Sequence, residues 1–287
     1  MSRIPEPSSP SAASNVGDDI LVEVKGLKMY FPVTSGSLFQ RTVAHVKAVD
    51  DVSFTVRRGE TLGLVGESGC GKSTVGRSLL QILDHPGKIV DGEVHFESES
   101  AGGLVDLAQE KPGSSLMRQI RGGEIALVFQ EPMTSFSPVH TVGNQVVEAI
   151  QLHMDVSKKV AMARAEELFD LVGIPNPRSR LNEYAYQLSG GLRQRAMIAM
   201  ALSADPKLLI ADEPTTALDV TTQAQILELL KTLQKQNNMA ILMITHNLGV
   251  IAEMADDVVV MYLGKGVEVG NIDDIFHDPQ HPYTQGL

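Results

Sequence analysis

A single cysteine stands among 287 residues, and no apolar run is long enough to cross a bilayer. With Cys70 alone, no disulfide can close within the chain, and a cytosolic compartment is the simplest expectation. A spanning helix needs roughly 20 apolar residues. The richest runs here, Ala240 to Ile244 and Val258 to Leu263, are strand-sized, so any work at a membrane needs another chain to span it. Basic excess is missing as well. Lys and Arg number 24 against 35 Asp and Glu, and the net charge of -11 gives no support to coating nucleic acid. The N-terminus carries Pro5, Pro7 and Pro10 among serines in place of the basic start and apolar core of a secretion signal. Residues 1–19 therefore read as a disordered arm.

What is present fits one large globular domain or a core with a subdomain: 43% of residues are hydrophobic and 21% charged. Two strand patterns occur. Leu21 to Phe31, Ala48 to Val56 and Gly92 to Phe96 alternate apolar with polar residues, which suits half-exposed antiparallel strands. Leu62 to Val65, Ile125 to Phe129, Leu208 to Ala211 and Ala240 to Ile244 are continuously apolar, which suits buried parallel strands. Helical periodicity covers Gln145 to Leu152, Lys158 to Val172, Gly191 to Ser203 and Thr222 to Gln236. Strands alternating with helices predict a parallel α/β sheet. The stretch from Gln130 to Leu188 has no good strand and reads as an inserted helical subdomain, with a loop at Pro175 to Arg180. Glu97 to Ser115, rich in Gly, Ser and charge, is expected to be an exposed loop.

The segment Gly66-Glu67-Ser68-Gly69-Cys70-Gly71-Lys72-Ser73 fits the phosphate-loop pattern GxxxxGK[ST] between an apolar strand and a potential helix. Glycines let the backbone curl so that successive N–H groups converge on one anion, and the helix adds its positive end. Lys72 is then expected to reach the terminal phosphates, Ser73 to hold magnesium, and Thr74 to touch an inner phosphate. Cys70, at a helix start, could have a lowered pKa, although a small residue tolerated in the loop is the simpler reading. Bound MgATP should in either case shield it from thiol reagents.

A second constellation ends the run Leu208-Leu209-Ile210-Ala211-Asp212-Glu213, which delivers two carboxylates at the C-terminal end of a strand, where ligands bind in open α/β sheets. Asp212 can hold magnesium, directly or through water. Glu213 can polarise a water beyond the γ-phosphate. The alternative is an acidic helix start.

Leu188-Ser189-Gly190-Gly191-Leu192-Arg193-Gln194-Arg195 resembles the LSGG signature of the ATP-binding cassette (ABC) ATPases. Alone, Ser-Gly-Gly is a helix cap; its order between the phosphate loop and the carboxylate strand carries the resemblance. The resemblance implies a P-loop NTPase of ABC type: a mixed parallel sheet core, an antiparallel β subdomain and an inserted helical subdomain. It implies further that Ser189, Gly190 and Gly191 grip the γ-phosphate bound by a second cassette. Gln130 matches the Q-loop glutamine, which contacts magnesium and the attacking water, and Asp219 the D-loop, with helix capping as its alternative. His246 matches the switch histidine, able to bond a γ-phosphate oxygen and orient Glu213. The other seven histidines read as surface or packing residues. For adenine stacking, family spacing favours Phe31, while strand alternation puts Tyr30 on the opposite face, one register step away.

The runs Phe129 to Ser135, Ala211 to Thr221 and Asp278 to Thr284 are similar to ATP-binding subunits of oligopeptide and dipeptide importers, a subfamily that also serves nickel, glutathione and oligosaccharides. The resemblance spans nearly everything after the arm. It implies nucleotide-binding core over 20–129 and 189–270, helical insert over 130–188, and the start of a C-terminal extension at 271–287. Magnesium with ATP is implied, along with a second ATPase subunit, two membrane permeases and an extracytoplasmic solute-binding protein, with no nucleic acid. The place of work would be peripheral, on the cytoplasmic face of the membrane. Leu192 replaces the usual signature glutamine, and Asn247 the usual aspartate after the switch histidine. Relatives continue beyond this point, often with a cysteine-ligated iron–sulfur cluster. Leu287 is therefore expected to be a truncation point, and the residues present cannot form that cluster. A soluble ABC ATPase in translation or DNA repair is the rival class; its cassettes are usually duplicated or split by coiled coils.

Overall fold

A computed structural model of the protein describes residues 19–35, 41–131, 135–216 and 218–287; the expected arm, up to residue 18, lies outside them. Two sheets organise the chain. The first is antiparallel, in the order β2-β1-β4-β5: β1 (Ile20–Ser35), β2 (Arg41–Arg57), β4 (Lys88–Ser98) and β5 (Gly103–Asp106). The second runs β10-β9-β3-β8-β7-β6: β3 (Thr61–Val65), β6 (Ile125–Val128), β7 (Leu208–Asp212), β8 (Ala240–Ile244), β9 (Asp257–Tyr262) and β10 (Lys265–Asn271). Its first five members in chain order pair in parallel, and β10 turns back antiparallel on β9 at the edge.

Continuous hydrophobicity in β3, β7 and β8 has a direct cause: every residue of each is buried, because both sheet faces are covered. Period-2 alternation then sorts side chains between two cores. Leu208, Ile210, Leu242, Ile244, Val259 and Met261 join the core beneath the antiparallel sheet. Leu209, Ala211, Ile241, Met243, Val258 and Val260 join the core shared with the helices between β6 and β7. Those helices are Val142–His153, Lys158–Leu171, Pro177–Arg180 and Gly190–Ala201. Thr141 and Ser157 start the first two by accepting hydrogen bonds from Asn144 N and Val160 N. Among the described residues no helix is long and apolar enough to cross a membrane.

Two expectations are corrected. Glu97 to Ser115 is no exposed loop: Gly103–Asp106 pairs with the end of β4, Leu107 is fully buried, and the helix Ser115–Gly123 begins at its end. A strand of four residues, GLVD, is too short to show a periodic pattern in sequence. The expected loop at Pro175 to Arg180 contains the short helix Pro177–Arg180, with proline at its first turn, where its missing N–H costs nothing.

Candidate functional site

Register brings the expected residues to one edge. Leu64 pairs with Ile244, Asp212 with Ile244, and Val128 with Ala211, so β3, β8, β7 and β6 end side by side. The phosphate loop, Thr245 and His246, Asp212 and Glu213, and Gln130 follow directly from these four C-terminal ends.

The loop leads from β3 into the helix Lys72–Leu79. Its turns need glycine at two positions. Gly66 has φ 144° and a Cβ there would lie 2.1 Å from Met261 O; Gly71 has φ 108° and a Cβ would lie 2.1 Å from Ala48 O. Lys72, only 6% exposed, donates from Nζ to Gly66 O at 2.7 Å and Glu67 O at 2.9 Å. A buried ammonium held by loop carbonyls is positioned for exchange onto phosphate oxygens. Glu67, Ser68 and Gly69 are exposed, and Ser73 and Thr74 half-buried. Cys70 is buried, and burial pushes its thiol pKa up against the pull of Lys72, which goes against the lowered value a helix start could give and agrees with the simpler reading of a small residue in the loop. The thiol is covered without any nucleotide, so shielding by MgATP is not needed to protect it.

Ser73 Oγ donates to Asp212 Oδ1 at 2.8 Å, tying the helix start to the end of β7. Burial pushes the Asp212 carboxyl up; the Ser73 bond, Arg77 and Lys72 oppose this, and neighbouring Glu213 adds to it. A hydroxyl beside a buried carboxylate makes a hard oxygen pair that fits magnesium, which prefers one or two carboxylates and completes its shell with phosphate and water. Gln130 is exposed just past β6, at the same edge of the sheet.

Glu213 adopts φ 50°, a left-handed conformation costing a non-glycine residue about 1–2 kcal/mol. Three bonds hold it there: its N–H donates to Ile244 O at 2.8 Å, Thr216 Oγ1 donates to Oε2 at 2.6 Å, and His246 Nδ1 lies 2.7 Å from Oε1. A carboxylate only accepts, so the shared proton sits on Nδ1 and Nε2 remains the imidazole's other nitrogen. Glu213 is 8% exposed, whereas His246 is exposed.

Ser189 caps the helix Gly190–Ala201, accepting from Leu192 N at 3.4 Å. Ser189 and Gly190 are exposed and Gly191 half-buried. Among the described residues, no hydrogen bond joins these three to residues 66–74. Asp219 is exposed and caps the helix Val220–Asn237, accepting from Thr222 N at 3.0 Å and Thr222 Oγ1 at 2.7 Å. Tyr30 and Phe31 are both half-buried. The Tyr30 hydroxyl donates to Asp50, and Lys47 Nζ sits 5.3 Å from the Tyr30 ring centroid. Phe31 packs on the core beneath the antiparallel sheet, its ring edge against Gly87.

Two contacts were not legible in the spacing. Thr216 reaches Glu213 only because of the left-handed backbone at 213. Glu67 N donates to Tyr283 Oη at 2.9 Å across 216 positions of chain; the tyrosine's sequence context marks a subfamily and gives no sign of this contact.

The profile of the ABC transporter family matches residues 49–216. The glutathione import ATP-binding protein GsiA of Escherichia coli (strain K12) is 49% identical over 249 residues, 87% of this chain and 40% of that protein. The protein of the same name from Shigella flexneri gives the same figures, 49% over 249 residues with 87% and 40% covered. The chain thus spans about 40% of the length of these relatives. Among solved structures, the ATP-binding cassette MJ0796, described as a dimer in a post-hydrolysis state bound to ADP and Pi, superposes with TM-score 0.73 at 24% identity, covering 88% of this chain and 99% of that one. The cbiO1 protein of Clostridium perfringens, part of the ABC transporter complex cbiONQ, gives 0.70 at 24%, covering 91% and 92%. At that identity the likeness shows a shared ABC ATPase fold.

Proposed function

The chain belongs to the ABC transporter family, and from that premise we propose that it is the ATP-binding and ATP-hydrolysing subunit of an importer for glutathione or another short peptide. The observation that carries the reading is the 2.7 Å pairing of Glu213 with His246 at the sheet edge that also presents the Lys72 loop. Two copies, or this chain and a homologous ATPase, face each other so that Ser189, Gly190 and Gly191 of one close over the nucleotide held by the other.

Backbone N–H groups of the loop from Gly66 to Thr74, apart from that of Glu67, which is bonded to Tyr283, hold the phosphates, and Lys72 leaves the carbonyls of Gly66 and Glu67 for the terminal phosphate oxygens. Phe31, braced against Gly87, supplies the adenine platform in preference to Tyr30, whose ring already carries Lys47 and whose hydroxyl is tied to Asp50. Ser73, Asp212 and Gln130 would hold magnesium, which when bound neutralises charge between the β- and γ-phosphates. Glu213 accepts a proton from the attacking water on a carboxylate oxygen. His246 fixes the carboxylate's orientation through Nδ1 and, when both ring nitrogens carry a proton, can also donate from Nε2 to a γ-phosphate oxygen. Asp219 lies where the paired cassette would meet the helix Val220–Asn237, and the helices between β6 and β7 would receive the permeases, passing closure and opening into the membrane.

The assembly then contains two ATPases, two permeases and an extracytoplasmic solute-binding protein, with this subunit peripheral on the cytoplasmic face. The relatives named for glutathione import favour that solute within the short-peptide class. Uptake of labelled glutathione, a dipeptide and an oligosaccharide by the reconstituted complex tests the reading. ATP-dependent entry of glutathione or the dipeptide is expected, and entry of the oligosaccharide alone would overturn the peptide assignment. Purification from mild detergent should bring two polytopic permeases; recovery with ribosomes or DNA instead would overturn the importer itself.

A further inference from the structure

The peptide unit joining Gly66 to Glu67 is held at both ends. Its carbonyl accepts from Lys72 Nζ at 2.7 Å, and its N–H donates to Tyr283 Oη at 2.9 Å. The tyrosine belongs to the short helix Pro282–Gly286, and four contacts fix this segment in place. Its ring lies on Tyr262 at the end of β9, with centroids 4.4 Å apart. Its backbone N–H donates to His281 Nδ1 at 3.1 Å. Just before it, Gln280 N and His281 N donate to the Glu268 carboxylate on β10 at 2.7 and 3.0 Å. The turn between β9 and β10 in its turn touches the phosphate loop, Gly264 N donating to Cys70 O at 2.9 Å. The result is a closed circuit: loop to hairpin through Gly264, hairpin to C-terminal segment through Glu268, and segment back to loop through Tyr283.

We propose that Tyr283 is a positioning residue for the phosphate loop, holding the Gly66–Glu67 peptide in its nucleotide-ready orientation. The inference rests on the nucleotide-binding reading given above. When Lys72 moves onto phosphate oxygens, the carbonyl end of that peptide loses its partner, and the Tyr283 hydroxyl becomes the remaining hydrogen bond that fixes the plane. Without it the peptide is free to rotate, and binding of the anion must order it again. The hydroxyl touches no reacting atom, so its loss acts on nucleotide affinity and leaves the chemical step alone.

Tyr283→Phe removes the hydroxyl and keeps the ring on Tyr262. Titration calorimetry with MgATP and with MgADP on the full chain should show both dissociation constants raised about three- to tenfold, the range of one neutral hydrogen bond. The melting temperature should stay within a few degrees, and in the assembled transporter KM for ATP should rise with kcat unchanged. As a measurement needing no variant, amide exchange at Glu67 in the nucleotide-free protein should be slow despite the exposure of its side chain. Wild-type affinity in Tyr283→Phe, a drop in kcat at constant KM, or fast exchange at Glu67 overturns the inference. Failure of the wild-type chain to bind MgATP overturns the nucleotide reading, and this inference with it; binding by the wild type with no change in the variant overturns only the inference.

Discussion

The two anion cradles of this chain are built in opposite ways. Around the phosphate loop nearly every group has a partner within the subunit: Lys72 on Gly66 and Glu67, Ser73 on Asp212, Glu67 N–H on Tyr283, Cys70 O on Gly264. The Ser189 cradle stands exposed at a helix start, with a single capping bond to Leu192 N and no bond to the loop among the described residues. A loop satisfied internally is pre-shaped and can take a nucleotide alone. An exposed helix start of the same chemistry is, under the proposed function, left for an anion held by a second subunit. The contrast points to a site split between subunits, in which binding and turnover are separable.

The strongest way to sharpen the contrast is to remove chemistry while keeping binding. Glu213→Gln should retain MgATP binding and lower steady-state turnover by about 10²-fold or more, the range for a lost general base. It should also accumulate a closed nucleotide-bound dimer in size-exclusion chromatography; wild-type turnover would remove Glu213 from the role.

Next comes a change on the exposed side. Gly190 has open space around it, the nearest side-chain atom being Leu218 Cδ2 at 3.8 Å from a Cβ built there. Gly190→Asp therefore folds but presents a negative charge where a γ-phosphate should dock. Turnover should fall at least tenfold while calorimetric MgATP affinity of the isolated subunit stays unchanged. Equal loss of both would mean that the two cradles are not separate.

A smaller effect is expected from Thr216→Val, which removes the hydroxyl bond to Glu213 Oε2 and keeps the shape. Bonds to charged groups contribute more than neutral ones, and turnover should drop about tenfold with KM for ATP unchanged. Least affected is the one thiol. Cys70 is buried with its pKa raised by that burial, so thiol reagents should label it slowly, and at nearly the same rate with and without MgATP. Fast labelling of the nucleotide-free chain would show the loop to be more open than described.

How much of this was legible beforehand differs along the chain for physical reasons. The apolar runs 62–65, 208–211 and 240–244 reveal themselves because burial on both faces leaves no polar position within them to confuse the pattern. Gly66 to Ser73 is legible because close backbone approach at Gly66 and Gly71 admits no side chain. Gly103–Asp106 was hidden because a four-residue edge strand owes its pairing to β4 and is too short to show a pattern of its own. The Thr216 and Tyr283 contacts were hidden for a related reason. One depends on a single left-handed residue and the other on tertiary closure over 216 positions, and neither leaves a periodic trace.

The split site is tested most directly by ATP turnover per subunit measured on dilution, with light scattering to establish where the chain is monomeric. The account predicts that the dilute monomer still binds MgATP and that turnover per subunit falls toward zero, returning when concentration or the partner ATPase is restored. Undiminished turnover by a demonstrated monomer would contradict it.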